Sequence, residues 1–332
     1  MKIAHAGREP MVLIVAPSAP VPPIELAEGV KKIRSMGFHV KVHAQCERQW
    51  MFYAGTDAQR LKAFTDAAYN STSQVIWCAR GGSGAVRLLP GLLEYTKKFG
   101  KPKHRKVLVG YSDACALMNF AAKNWGFEVI HASMPGQAEF VGLSDSECDL
   151  LRAWIKIALK VSQPRFEYQR QLKILAGRMP KKPVIGTLVG GNLTTLAGLV
   201  GTPFEVNTRN SILFLEDVGE AVYRLDRMLQ QWLLSGVWRK SKLKAIVLGN
   251  FLNCRDAVPE VRSDKAGSCQ KLRPEVTLSE ALMMTFKQVS RELSIPVFQG
   301  LPSGHGPGHL PLYLNTKVGI NSKGVLSWRF KA

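Results

Sequence analysis

The chain has 332 residues, 46% hydrophobic and 21% charged, which is ordinary for a folded globular protein and excludes disorder, collagen-like repeats and coiled coil as whole-chain descriptions. At roughly 150 residues per domain this length predicts two domains, each able to bury a core without disulfide or metal staples. Lys and Arg number 45 against 25 Asp and Glu, a formal net charge of +20, so an anionic partner has to be weighed against a dispersed, solvated basic surface.

In chain order, Val12-Leu13-Ile14-Val15 is an apolar, β-branched run ended by Pro17 and Ser18, and predicts a buried strand. A helix is expected over 24–36, closed by Gly37, and an alternating strand over 38–42. Thr56-Asp57 opens a helix through Ala68. Next come the strand Val75-Ile76-Trp77-Cys78, the glycine loop Arg80-Gly81-Gly82-Ser83-Gly84 and a further helix. Val107-Leu108-Val109 leads into Gly110-Tyr111-Ser112-Asp113 and an alanine-dense helix over 114–125. Strands alternating with helices imply βαβ units and a mostly parallel sheet covered on both faces. From about Leu150 to Pro183 the strand signals fade: a helix over 148–159 is followed by a basic linker. The second half restarts at Ile185. It carries the strand Ile212-Leu213-Phe214-Leu215 running into Glu216 and Asp217, an amphipathic helix over 221–234 and the strand 245–248. A polar loop over 253–273, a helix over 279–293, the strand Val297-Phe298 before Gly304-His305-Gly306, and a hairpin over 318–328 complete the chain. The fold class is therefore α/β. Its expected division is 1–160 with a mostly parallel sheet, a linker over 161–183, and a mixed α/β domain over 184–332.

The densest basic runs, 101–106, 178–182 and 239–244, each precede an apolar run, where solvated loop charge belongs. None is interleaved with stacking aromatics, so nucleic acid is not the expected partner. Cys46, Cys78, Cys115, Cys148, Cys254 and Cys269 form no CxxC pair and read as reduced thiols of a cytoplasmic protein. Lys2, Arg8 and the apolar run 11–16 mimic a signal peptide, but the run is too short and leads into Pro17-Ser18, so a first strand is expected instead. No stretch approaches the roughly 20 apolar residues of a membrane span. No metal site is expected, because His43-x-x-Cys46 lacks partners and there is no HExxH.

In open parallel sheets ligands bind beyond the carboxyl ends of strands. Gly110-Tyr111-Ser112-Asp113-Ala114 reads as strand, sharp turn and helix with a serine at the tip, the pattern of a nucleophile elbow with Ala114 in place of a second glycine. The same residues also suit an ordinary helix cap. The Arg80–Gly84 loop brings backbone N–H groups close to a ligand, or is a plain flexible turn; it matches neither GxGxxG nor a Walker sequence. A serine needs a base and the base an orienting group. Of seven histidines, His131, His305 and His309 are the useful ones, and His305 lies between glycines after a strand. Glu216 and Asp217 end a buried strand, where an acid must be paired or catalytic.

Taken together these segments resemble the LD-carboxypeptidases, or muramoyltetrapeptide carboxypeptidases, with their microcin-immunity relatives. The resemblance runs from about Val12 to Ile320. It rests on Ala54-Gly55-Thr56-Asp57, Arg80 to Ala85 with Arg87-Leu88-Leu89-Pro90, Gly110 to Asp113, Gly190 to Leu193, Gly201-Thr202-Pro203, Ile212 to Val218, Tyr223, Asp226, Arg227 and Gly304-His305. It implies Ser112 as nucleophile, His305 as general base and Glu216 as the acid orienting it. The oxyanion hole would come from the backbone N–H groups of Asp113 and Gly82. Arg80, Gly81 and Ser83 become candidates for substrate contact, with Arg80 equally able to anchor its own loop. It further implies an interdomain active site, a cytoplasmic homodimer, no cofactor and no metal. The activity implied is serine-type release of the terminal D-alanine from murein tetrapeptide. The same machinery acting on a peptidyl-nucleotide antibiotic is the first alternative, and a non-catalytic binder of an anionic polymer is a second, from a different class. Four departures bear on substrate choice: Ser83 for an aromatic, Cys115 for threonine, His131-Ala132-Ser133-Met134 for His-Gly-Pro-Met, and Leu314 for glycine. Ser83 and the His131 segment are expected to line the cleft.

Overall fold

The computed structural model describes residues 9–161, 167–255 and 277–329. Its first sheet begins with β1 (Met11–Val15), β2 (His39–Val42), β3 (Val75–Cys78), β4 (Val107–Gly110) and β5 (Glu128–His131). These five are parallel, and every residue of β3 and β4 is buried, as a sheet with helices on both faces requires. The helix Asp57–Tyr69 starts at a capping box formed by Thr56 and Gln59, and the helix Asp145–Ala158 at another formed by Ser144 and Glu147.

The rest of the chain adds β6 (Glu167–Gln171), β7 (Lys173–Ala176), β8 (Val184–Asn192), β9 (Ser211–Val218), β10 (Ala245–Leu252), β11 (Val297–Gln299), β12 (Leu312–Leu314), β13 (Lys317–Ile320) and β14 (Val325–Arg329). The second sheet runs β6-β14-β13-β8-β9-β10-β11-β7, parallel in its centre and antiparallel at both ends. The hairpin expected near the end is β13–β14. The polar loop expected over 253–273 lies from residue 256 onward outside the described residues, as do Lys2, Arg8 and Cys269.

Two expectations change. The stretch read as a linker, 161–183, contains β6 and β7, which cover the two edges of the second sheet. β6 is polar and β7 has only three apolar residues, Ile174-Leu175-Ala176, so the strand state of both depends on pairing within the sheet as well as on local pattern. The second change concerns β12. Although it belongs to the second half of the chain, it pairs antiparallel with β5 and completes the first sheet as β12-β5-β4-β3-β1-β2. Trp154, Tyr168, Tyr313 and Trp328 pack edge to face at ring separations of 5.5–5.8 Å, joining a helix of the first half to strands of both sheets. Among the described residues no helix is long and apolar enough to cross a membrane.

The carboxyl ends of β4 and β9 face the same region, and two glycines on β8 let them do so. Gly190 and Gly191 have φ of 131° and 140°, and a Cβ on Gly190 would sit 1.9 Å from the Phe214 carbonyl oxygen of β9. Gly190→Ala should therefore destabilise the protein by about 3 kcal/mol or more, as urea unfolding would measure, because strain and a backbone clash combine.

Candidate active site

Gly110 ends β4, and Ser112 begins a turn of 3-10 helix at Ser112–Ala114 that continues as the helix Cys115–Trp125. Ser112 has φ of 60°, the left-handed conformation that a side chain adopts only under local constraint. Small neighbours allow it: a Cβ on Gly110 would meet the Ala114 and Cys78 Cβ atoms, each at 3.2 Å. The hydroxyl is thereby lifted off the end of the sheet.

Ser112 Oγ lies 3.1 Å from His305 Nε2. His305 Nδ1 lies 2.7 Å from Glu216 Oε2, and the His305 backbone N–H donates to the same oxygen at 3.2 Å. The structure thus brings together a serine, an imidazole and a carboxylate separated by 193 and 89 positions along the chain. Gly304, with φ of 110°, makes the approach possible, since a Cβ there would fall 2.6 Å from Glu216 Oε2. Asn250 on β10 pins the histidine loop twice. Its N–H donates to the Ser303 carbonyl at 2.8 Å and its side-chain amide to the His305 carbonyl at 3.0 Å.

Glu216 is fully buried at the end of β9. Burial alone would raise its carboxyl, but His131 and His305 beside it outweigh that and hold the group well below the usual carboxylate range. Its neighbour Asp217 has a separate, structural set of partners: Oδ2 accepts from the Thr194 N–H and hydroxyl, each at 2.8 Å, and Oδ1 from the Val218 N–H at 2.8 Å. Burial pushes Asp217 upward instead.

The glycine loop closes on the elbow. A Cβ on Gly81 would sit 2.9 Å from Ser112 Cβ and 3.0 Å from its Oγ, so only glycine leaves the hydroxyl free. Gly82 and Gly84 have φ of 107° and 114°. The Asp113 carboxylate accepts from the Ala85 N–H at 2.8 Å and ties the far end of the loop to the elbow. Burial pushes the Asp113 carboxyl above its ordinary range.

Arg80 donates to the Pro20 carbonyl at 2.8 Å, which is the loop-anchoring alternative. Ser83 is exposed on the outside of the loop. The expectation that the His131 segment lines the cleft is corrected: His131, Ala132, Ser133 and Met134 are all buried beneath the elbow. That segment continues β5, whose two edges are paired with β4 and β12 as far as His131. Sequence reasoning passed over Tyr111 and Asn250. The Tyr111 ring packs 4.8 Å from the His305 ring and 4.7 Å from that of His309, and no local pattern announces either contact.

An elbow serine, an adjacent imidazole and a buried acid form an arrangement suited to acyl transfer. Comparison with known proteins places the chain. Residues 12–132 match the LD-carboxypeptidase N-terminal domain and residues 185–320 the LD-carboxypeptidase C-terminal domain. The chain belongs to the LD-carboxypeptidase family. The murein tetrapeptide carboxypeptidase of Pseudomonas aeruginosa is 30% identical over 300 residues, covering 89% of this chain and 88% of that protein. The Escherichia coli microcin C7 self-immunity protein MccF is 28% identical over 320 residues, covering 88% of this chain and 84% of its own. Among solved structures, the muramoyltetrapeptide carboxypeptidase from Oxalobacter formigenes superposes with a TM-score of 0.71 at 28% identity, covering 95% of this chain and 97% of that one. This LD-carboxypeptidase-family chain therefore has the two-part α/β fold of its relatives, with the candidate site where the two sheets meet.

The depressed Glu216 carboxyl has a consequence for stability. Because its folded pKa lies below the unfolded value, its contribution is present above about pH 4.3 and is lost as pH falls. Asp113 and Asp217 shift the other way but are common to parent and variant. Glu216→Gln should therefore lose less thermal stability than the parent between about pH 5 and pH 3, as paired melting curves would record.

Proposed function

We propose that this protein is a serine-type LD-carboxypeptidase that releases the terminal D-alanine from murein tetrapeptide, with Ser112 as nucleophile, His305 as general base and Glu216 as its orienting acid. The observation that carries the reading is the continuous line Ser112 Oγ–His305 Nε2, 3.1 Å, and His305 Nδ1–Glu216 Oε2, 2.7 Å, ending at a strained elbow. The likeness to the Pseudomonas aeruginosa murein tetrapeptide carboxypeptidase over most of both chains supports the substrate class.

In this mechanism Ser112 Oγ attacks the carbonyl carbon joining the L-centre of a diamino acid to D-alanine, while its proton passes to His305 Nε2. The negative charge on the carbonyl oxygen is met by the Asp113 and Gly82 backbone N–H groups, where fixed donors in a water-poor cleft contribute several kcal/mol. His305 then gives its proton to the departing amine. A water, deprotonated by the same imidazole, attacks the acyl-enzyme, frees the new carboxylate and returns the proton to Ser112. Glu216 stays ionised throughout and holds His305 with Nε2 toward the serine. The reading includes a cytoplasmic homodimer, on the strength of the family resemblance.

A second substrate reading has its own support in the likeness to the microcin C7 self-immunity protein: the same machinery acting on a peptidyl-nucleotide. Incubation with murein tetrapeptide and, in parallel, an aminoacyl sulfamoyl nucleoside separates the two, since mass spectrometry reads loss of one alanine in the first and amide cleavage in the second. Ser112→Ala separates enzyme from binder. It should lose on the order of 10⁶-fold in kcat while retaining tetrapeptide affinity, and turnover at the parent rate would remove Ser112 from the mechanism. Gly81→Ala places a methyl against Ser112 and should lower kcat about 100-fold or more, as steady-state kinetics would measure.

A further inference from the structure

Glu216 has two oxygens, and the line to Ser112 uses one. Oε2 receives both His305 contacts. Oε1 is buried without a hydrogen-bond partner and faces His131 Nε2 at 3.9 Å, an atom that is also buried and unpartnered. His131 is the last residue of β5 and is fully buried. Its other nitrogen, Nδ1, lies 3.2 Å from Nε2 of His309, itself buried on the loop that carries His305. Tyr111 and Phe214 pack their rings against His131 at 5.7 and 5.1 Å, and Cys115 lies close by across Gly191. The titratable groups facing His131 are thus Glu216, His309, Tyr111 and Cys115, with His305 beyond the carboxylate.

We propose that His131 is a positioning residue for the acid, donating Nε2–H to Glu216 Oε1 as the inner link of a one-way chain from His309 through His131 to Glu216. The proposal rests on the triad reading above for its catalytic meaning, but the direction of the chain follows from valence. For Ser112 to give its proton to His305 Nε2, His305 must carry its own hydrogen on Nδ1, pointing at Oε2. That leaves Oε1 needing a donor, and among the described residues His131 Nε2 is the polar atom recorded facing it. Were the His131 hydrogen on Nδ1 instead, it would point at His309, and a bare Nε2 lone pair would oppose a carboxylate oxygen in a dry interior. Such an arrangement costs more than an unmade hydrogen bond. With the hydrogen on Nε2, Nδ1 is free to accept from His309 Nε2–H. Burial pushes His309 well below the ordinary imidazole range, consistent with a neutral ring that donates from one nitrogen. The 3.9 Å gap closes to hydrogen-bond length with a shift of under about 1 Å. Occupying both oxygens stops the carboxylate from turning about its terminal bond, and this keeps His305 aimed at Ser112.

The direct test is nitrogen NMR of the full-length protein labelled at histidine. His131 is expected as the Nε2–H tautomer at neutral pH. A hydrogen on Nδ1, alone or together with Nε2, or rapid averaging of the two tautomers, would overturn the proposal. This readout needs no activity, so it stands or falls apart from the substrate reading. Kinetics then test the consequence with two variants that differ in where they present an amide. His131→Gln places its nitrogen near the position of Nε2 and should keep most of the parent kcat. His131→Asn places it near Nδ1 and should lose about 100-fold in kcat at nearly unchanged KM, the penalty of a slightly misplaced group. Its acid limb of kcat/KM should also move to higher pH, because a carboxylate that has lost a donor on one oxygen directs more of its charge at His305 and holds the protonated imidazole more firmly. Equal rates and superimposable pH profiles for the two variants would exclude a positioning role.

Discussion

A carboxylate with no exposure to water is the constraint around which this molecule is arranged. Removing such a charge from solvent carries an effective penalty of several kcal/mol unless partners offset it. Glu216 sits at the end of a strand buried over nearly its whole length, and its compensation comes from both halves of the chain. His305 supplies a ring nitrogen and a backbone N–H from the second half, while His131, on β5 of the first sheet, faces the other oxygen at 3.9 Å. The sheets are consequently joined by a polar centre as well as by apolar packing.

The elbow shows the same economy on a smaller scale. Ser112 adopts a left-handed backbone, and the surrounding glycines and alanine remove the atoms that would collide with it. Asp113, the next residue, turns its carboxylate away from the cleft to hold the Ala85 N–H. One short sequence thus sets the serine, offers a backbone N–H beside it, and fixes the loop that faces it. Asp217 does the comparable task beside Glu216, holding the start of the helix Leu193–Ala197.

Much of this was legible in the chain. Strands such as Val75–Cys78 and Val107–Gly110 are continuous apolar runs between turn residues, and the helix opened by Thr56 announces itself, whereas the sequence pattern places the start of the one opened by Ser144 only at residue 148. The elbow serine, the strand-end glutamate and the glycine-flanked histidine were recognisable because each stands where a strand gives way to a loop. What escaped depends on partners remote in sequence. The polar strand β6 and the short strand β7 are defined by pairing to β14 and β11, and β12 is three residues long and defined by its pairing to β5. Asn250 and Tyr111 act on His305 through contacts that no spacing encodes, and the burial of the His131 segment follows from strands that flank it only in space.

The path of the chain around His305 carries one more implication. From Gln299, the last residue of a strand in the second sheet, the backbone runs through Gly304 and His305 and enters the first sheet at Leu312. Its neck is closed by the Leu310 N–H on the Pro302 carbonyl at 2.9 Å and by the Ser303 hydroxyl on the Leu310 carbonyl at 2.8 Å. The imidazole therefore rides on a strap moored to both sheets, whereas Ser112 and Glu216 are each fixed to one. A displacement of one sheet against the other would shift the base of this loop, and with it the aim of the imidazole. The residue that must touch both of the others is thus the one whose position depends on both sheets at once.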